Sequence, residues 1–283
     1  MKPAPFDYAR AFSLDEAISL LTGADGEARP LAGGQSMGPM LNFRLARAAL
    51  LVDISRIEEL SAISESPDGI TVGAAVTHAA FEDGDVADVA NGLIRHAASG
   101  IAYRAVRNRG TIGGSLAHAD PAADWPPVMM ALDAVIEVRG AGGKREVAAS
   151  DLATDVMTTV IEPGEVLAAI RIPRLSSGAT WGHYKVCIKP GDFADSLGIV
   201  VRDRDHGRCR AVIAGPTSPP IHLDGVARLV ESADGWSDSL QAEIKEAAGV
   251  DIRAASFCDE TDRYANNLHC TAIVRAAKEA LSS

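Results

Sequence analysis

Apolar positions along the chain change period several times, and each change marks an element. Ala17, Ile18, Leu20 and Leu21 recur at helical spacing behind Ser13-Leu14-Asp15-Glu16. There a serine hydroxyl and a glutamate carboxylate can each satisfy an orphan amide, so the spacing predicts a capped helix closing at Gly23. Arg29-Pro30-Leu31-Ala32 leads into a glycine turn, residues 49–54 and 69–74 read as strands, and Thr77 reads as the cap of the helix that follows. Residues 90–105 are helical in composition, residues 111–124 form a second glycine turn running into Ala/Asp-rich sequence, and residues 131–139 with 144–148 make a hairpin.

The texture changes at Val166. Residues 166–172, 179–187, 196–202 and 208–214 read as successive antiparallel strands, the last two joined at Asp205-His206-Gly207, and residues 225–230, 240–248 and 259–281 read as helices. The chain thus divides near 175–178, where Pro173, Ser176, Ser177 and Gly178 make a linker, and the C-terminal part reads as a sheet covered by helices.

With 283 residues the chain can bury a core without metal or disulfide staples. Its 27 Lys+Arg against 38 Asp+Glu give a net charge of −11, which repels a phosphate backbone and excludes nucleic acid as a natural partner. No run is apolar enough for a membrane span, and Pro3, Pro5 and Asp7 stand where a signal peptide needs basic and then apolar residues, so a cytoplasmic location is expected. The four cysteines form no C-x-x-C pair; an iron–sulfur centre, if the protein uses one, belongs to another chain.

The chemistry concentrates in two short segments. Leu31-Ala32-Gly33-Gly34-Gln35-Ser36, followed by Met37, echoes Thr111-Ile112-Gly113-Gly114-Ser115. Paired glycines remove Cβ atoms and let consecutive backbone N–H groups close on an anion such as a diphosphate, whereas either pair alone is compatible with an ordinary tight turn. Neither segment fits the G-x-G-x-x-G dinucleotide fingerprint, and no Lys-Ser or Lys-Thr follows as in a P-loop. Beyond the second segment, His118, Asp120 and Asp124 leave three readings open: a cap on a solvated helix, carboxylates accepting ribityl or ribose hydroxyls, or a divalent metal site, for which the oxygen donors are too few. Arg104, Arg107 and Arg109 read as a solvated helix face that could also neutralise a phosphate, and Lys185 as a strand lysine pointing to water. The histidines stand apart from any nucleophile motif, so a hydrolase triad has no support.

Together, Ala32-Gly33-Gly34-Gln35-Ser36 with Pro39 to Leu45, and Thr111-Ile112-Gly113-Gly114-Ser115 with Asp120-Pro121-Ala122-Ala123-Asp124, resemble the FAD-binding medium subunit of the molybdenum hydroxylases. That family includes carbon monoxide dehydrogenase, quinoline oxidoreductase, caffeine and nicotine dehydrogenases and xanthine dehydrogenase. Glu162-Pro163-Gly164-Glu165, Tyr184-Lys185 and Gly191-Asp192-Phe193-Ala194 extend the resemblance along the chain.

The resemblance implies an α+β fold: a two-part FAD-binding domain of the vanillyl-alcohol-oxidase (PCMH) type over residues 1–175, with subdomains of about 1–55 and 56–175, then a C-terminal domain over 178–283. It implies that residues 31–37 and 111–115 hold the FAD diphosphate, that Asp124, with Asp120 nearby, takes a ribityl hydroxyl, that Leu167 and Lys185 lie by the flavin ring, and that Phe193 approaches the isoalloxazine. Relatives carry an arginine before Gly-Asp-Phe where this chain has Lys189-Pro190. The implied role is electron transfer from [2Fe–2S] centres of a small partner subunit to an external acceptor. A large partner subunit holding the molybdenum cofactor does the hydroxylation, of a nitrogen heterocycle, in a dimer of heterotrimers. The alternatives are a self-sufficient flavin dehydrogenase or oxidase of the same fold, a carbon monoxide or aldehyde dehydrogenase medium subunit, and a non-catalytic nucleotide-binding module.

Overall fold

A computed structural model describes residues 2–24, 26–259 and 261–282; Met1, and Glu260 at the head of the expected closing helix, lie outside them. The amino-terminal part is a parallel three-stranded sheet in the order Asp7–Arg10, Leu50–Asp53, Ala28–Leu31. Helix Leu14–Thr22 crosses from the first edge strand to the other, burying Leu14, Ala17 and Leu21. Ser13 caps it by accepting from the Glu16 amide. Glu16 reaches one residue further than the expected box, to the Phe12 amide at 2.8 Å, and Gly23 ends the helix in right-handed geometry. The strand Ala28–Leu31 escaped the sequence reading because Arg29 and Pro30 break its apolar pattern. An edge strand tolerates proline, whose missing N–H faces away from the ladder.

Next comes an antiparallel sheet in the order Ile63–Ser66, Gly69–Gly73, Val166–Pro173, Val135–Gly140, Gly143–Ala148. Strand Val166–Pro173 is the centre of this sheet and not the first of the C-terminal strands, as its place in the sequence suggested. Strand Ile63–Ser66 is exposed throughout and so carried no apolar signal. The expected single helix over 90–105 is two, Leu93–Ser99 and Arg104–Arg107, broken where Ala102 takes a left-handed φ of 43°. The hairpin begins at Val135 because helix Trp125–Ala131 precedes it. That helix is buried on every side, which erases the amphipathic stripe, and its prolines occupy the first turn, where a missing N–H costs nothing.

The last sheet, Thr180–Val186, Ser196–Asp203, Arg208–Gly215, Ser218–His222, is antiparallel and buried on both faces. Ile199, Val201, Val212 and Ala214 join the core of the preceding sheets, while Val200, Ala211 and Ile213 join a second core with helices Asp224–Ser232, Asp238–Ala254 and Arg263–Ser282. Alternating side chains of one sheet therefore fasten the two parts of the molecule together. The 175–178 segment is fastened too: the buried Asp203 carboxylate accepts from the Ser176 amide at 3.0 Å and its hydroxyl at 2.6 Å. Among the described residues, no helix is long and apolar enough to cross a membrane.

Candidate functional site

Strand Ala28–Leu31 delivers the first glycine segment to the start of the short helix Met37–Asn42. Gly34 turns the chain with φ at 72°, a conformation a side chain would strain, and its carbonyl accepts from the Gly38 amide at 2.9 Å. Gln35 folds back to donate to the Gly33 carbonyl at 3.2 Å. Among the described residues, the amides of Gly34, Gln35 and Ser36 donate to no protein group, and the Ser36 hydroxyl caps nothing. Three adjacent N–H donors and a hydroxyl are thus left for a ligand.

The second segment is built differently. It is the first turn of helix Ile112–His118, with Thr111 as its cap, and not a free turn. The Ile112 amide donates to Val76 at 3.1 Å, Gly113 to Ala74 at 3.0 Å and Gly114 to the Thr111 hydroxyl oxygen at 3.0 Å. The expected cradle of amides is therefore present at residues 34–36 and spent on the protein at residues 112–114. What this segment offers outward is the half-buried Ser115 and the bare, exposed surface of Gly114.

Tertiary packing brings the two segments together. A Cβ on Gly33 would lie 1.9 Å from the Arg109 carbonyl oxygen, and one on Gly114 would lie 4.0 Å from the Ala32 Cβ. Gly113 abuts Ala74, where a Cβ would come within 2.4 Å of the alanine methyl. Gly33 and Gly113 thus close the two backbones on the protein, whereas a Cβ on Gly34 would meet only Leu31, at 3.5 Å, and one on Gly114, at an exposed position, would press on the Thr111 hydroxyl at 2.9 Å. Arg109 is exposed, as expected, and extends Nε to the Gly33 carbonyl at 3.4 Å, so it braces the joint from the solvent side. Behind the second segment, buried His78 donates its amide to Gly110 at 2.9 Å and accepts from Trp125 Nε1, also at 2.9 Å, which leaves Nε2 as the protonated nitrogen. Burial and the nearby Arg107 lower this imidazole to about 4. Residues 47 apart in sequence make that bond, so no local pattern announces it.

Asp120 and Asp124 do not share a helix face. Ala119 takes a left-handed φ of 50°, Asp120 accepts from the Ala122 amide at 3.0 Å, and Asp124 sits just before the next helix. Asp124 is buried, and Lys185 reaches both of its carboxylate oxygens at 2.9 and 3.0 Å. Lys185 therefore does not point to water; it comes from strand Thr180–Val186 and inserts between the two parts of the molecule. Burial pushes the Asp124 carboxyl up and the Lys185 ammonium opposes that rise. Leu167 is buried beside Ala168, whose carbonyl receives the Ala74 amide. Ile112 is core, and Leu31 and Met37 are half-buried at the ends of the first segment. Phe193 is exposed in the loop after strand Thr180–Val186.

The site gathers hydrogen-bond donors and a neutralised carboxylate around a groove without a nucleophile–base pair. A serine hydroxyl meets an imidazole at Ser196 Oγ and His269 Nδ1, 2.8 Å apart, and that pair is buried in the C-terminal part. An open surface cleft of about 600 Å³ near Asp15, Ser19 and Gly140 shares no residue with the site.

Residues 4–175 match the family described as FAD binding domain in molybdopterin dehydrogenase. The chain is 35% identical over 257 residues to the 6-hydroxypseudooxynicotine dehydrogenase complex subunit alpha of Paenarthrobacter nicotinovorans, covering 89% of this chain and 86% of the relative. It is 39% identical over 218 residues to the carbon monoxide dehydrogenase medium chain of Afipia carboxidovorans, covering 77% and 76%. A chain of the carbon monoxide dehydrogenase of Hydrogenophaga pseudoflava, solved without the Mo-pyranopterin moiety of its molybdenum cofactor, superposes with a TM-score of 0.90 at 29% identity, covering 100% of this chain and 99% of that one. With its paired glycine segments packed together and residues 4–175 matched, this chain belongs to the FAD-binding family of the molybdopterin dehydrogenases.

Proposed function

We propose that this chain is the FAD-carrying medium subunit of a multi-subunit molybdenum hydroxylase. The observation that carries the reading is the meeting of residues 32–36 with residues 109–114, which sets free amides and bare glycine surface on one groove in a chain of this family. Bound there, FAD would pass electrons from the [2Fe–2S] centres of a small partner subunit to an external acceptor, with the molybdenum cofactor on a large one. The division of labour is supported by the chain's four cysteines, all of them free and scattered.

Each of the chain's own residues has a part in this reading. The amides of Gly34, Gln35 and Ser36, with the hydroxyls of Ser36 and Ser115, hold the diphosphate, while buried Thr111 caps the helix that presents Ser115, and Gly34 and Gly114 leave room for it. Asp124, kept beside Lys185, presents acceptor oxygens to the ribityl chain, with Asp120 on the turn before it. Leu167 and Lys185 border the ring and Phe193 covers it. Residues 1–175 form the FAD domain, with subdomains of about 1–55 and 56–175, and residues 178–283 form the C-terminal domain. The FAD is held without a covalent bond, the complex is a cytoplasmic dimer of heterotrimers, and its substrate is a nitrogen heterocycle. That last point is supported by the likeness to a nicotine-derived compound's dehydrogenase, and the residues that choose the substrate sit on the partner.

The test is anaerobic. FAD released into the filtrate on denaturation establishes the cofactor, and heterocyclic substrate should bleach the flavin band only when the partner chains are co-expressed. Bleaching of the isolated chain would replace this reading with a self-sufficient flavin dehydrogenase.

A further inference from the structure

We propose that Arg107 is a positioning residue for Phe193, acting through the backbone on which the Phe193 loop rests. The inference rests on the proposed placement of Phe193 beside the flavin ring.

Arg107 ends the short helix Arg104–Arg107, and its guanidinium is mostly buried. Two of its nitrogens are taken by Glu82, Nε to Oε2 at 2.7 Å and Nη2 to Oε1 at 2.9 Å. The remaining nitrogen, Nη1, donates to two successive carbonyls, Ile101 at 2.8 Å and Ala102 at 2.9 Å. Between these two carbonyls Ala102 adopts φ of 43°, left-handed backbone that a residue with a side chain seldom takes. Arg107 is the group that holds it. Glu82 stays ionised to hold Arg107 in turn, since the guanidinium pulls its carboxyl below the usual range.

The loop arrives on the other side of the same carbonyl. Gly191, with φ of 89°, lies so close that a Cβ there would be 2.6 Å from the Ala102 oxygen. Three residues on, the Ala194 amide donates to the Ala122 carbonyl at 3.3 Å, and Ala194 is buried. Lys185 adds a longer contact, 3.5 Å, to the Gly100 carbonyl. Phe193 lies between these anchors and is itself 65% exposed, so no core packing sets its place. Backbone seats on Ala102 and Ala122 set it, beside the Lys189 contacts with Tyr103 and Asp192, and Arg107 holds the first of these seats. A lysine at position 107 could pair with Glu82 or cap the carbonyls, but its single nitrogen lacks the fork that does both.

The test uses the full chain with FAD bound, reading flavin emission and its quenching by iodide alongside FAD content. Phe193→Ala sets the value for an uncovered ring. Arg107→Lys is expected to retain FAD and to raise iodide quenching to the Phe193→Ala value, and adding Arg107→Lys to Phe193→Ala should change nothing more. Gly191→Ala, which disturbs the seat from the loop side, should behave alike. If Arg107→Lys holds FAD with native quenching while Phe193→Ala does not, the inference is overturned and the site reading stands. Should Arg107→Lys fail to fold or lose FAD, Gly191→Ala decides, and native quenching there overturns it. Native quenching in Phe193→Ala overturns both the inference and the placement of Phe193.

Discussion

Replacing Gly33 by alanine should damage the fold before it damages the cofactor site. The added methyl would lie 1.9 Å from the Arg109 carbonyl oxygen and 2.6 Å from its carbon, where ordinary contact begins near 3.4 Å. A retreat of about 1.5 Å is therefore needed from a backbone that Arg109, Gly110 and His78 tie into the next helix. Overpacking of this kind costs about 1–3 kcal/mol, and a clash with backbone belongs at the upper end. At an unfolding slope of about 3 kcal/mol per molar urea, a loss of about 3 kcal/mol lowers the midpoint by about 1 M. Gly34→Ala adds a methyl that meets only Leu31 at 3.5 Å, so its cost is the left-handed φ alone, about 1–2 kcal/mol. The assay is urea unfolding of the FAD-free chain followed by tryptophan emission, with Gly33→Ala, Gly34→Ala and the parent side by side. A Gly33→Ala midpoint equal to the parent's, or above that of Gly34→Ala, would refute the argument that the two glycines differ in task.

The other expected outcomes follow from the same site. Gly114→Val crowds the Thr111 hydroxyl, 2.9 Å from the added Cβ, and the surface toward Ala32, and should weaken FAD binding by roughly five- to 150-fold, a cost on the order of 1–3 kcal/mol; full occupancy after dilution, measured by flavin in the filtrate, would show that this surface does not face the cofactor. Lys185→Met leaves the Asp124 carboxylate buried without its partner and should cost about 3–5 kcal/mol, while the double variant with Asp124→Asn should recover part of that loss, a cycle read by urea unfolding. His78 and His269 are buried and lowered to about 4 from 6.5, so between those values the unfolded chain takes up protons that the folded chain does not. Stability should therefore fall as pH drops from about 6.5 to about 4, by on the order of 3 kcal/mol for each histidine, and His78→Gln should flatten that part of the urea-midpoint profile.

The helix after Ser13, the 135–148 hairpin, three of the four strands of the C-terminal sheet and its three helices were legible because each has a local signature in capping residues, period or turn glycines, whereas the edge strand Ser218–His222, carrying Pro219 and Pro220, was not. The two glycine segments were legible as a pair for the same reason. What stayed hidden has a common physical cause. Helix Trp125–Ala131 and strand Ala28–Leu31 lost their periodicity to burial on all sides and to an edge proline, and strand Val166–Pro173 carries nothing in its own residues to say which sheet it joins. The difference between the segments was decided by packing: Val76 and Ala74 consume the Ile112 and Gly113 amides of the second, whereas among the described residues no protein group takes those of Gly34, Gln35 and Ser36 in the first. Lys185 and Asp124, 61 residues apart, and Arg107 and Glu82, 25 apart, meet only because sheets and helices from different stretches of chain pack there. Sequence determines which residues can donate, accept or turn. Long-range packing determines which of them are already spent on the fold, and so which remain for a ligand.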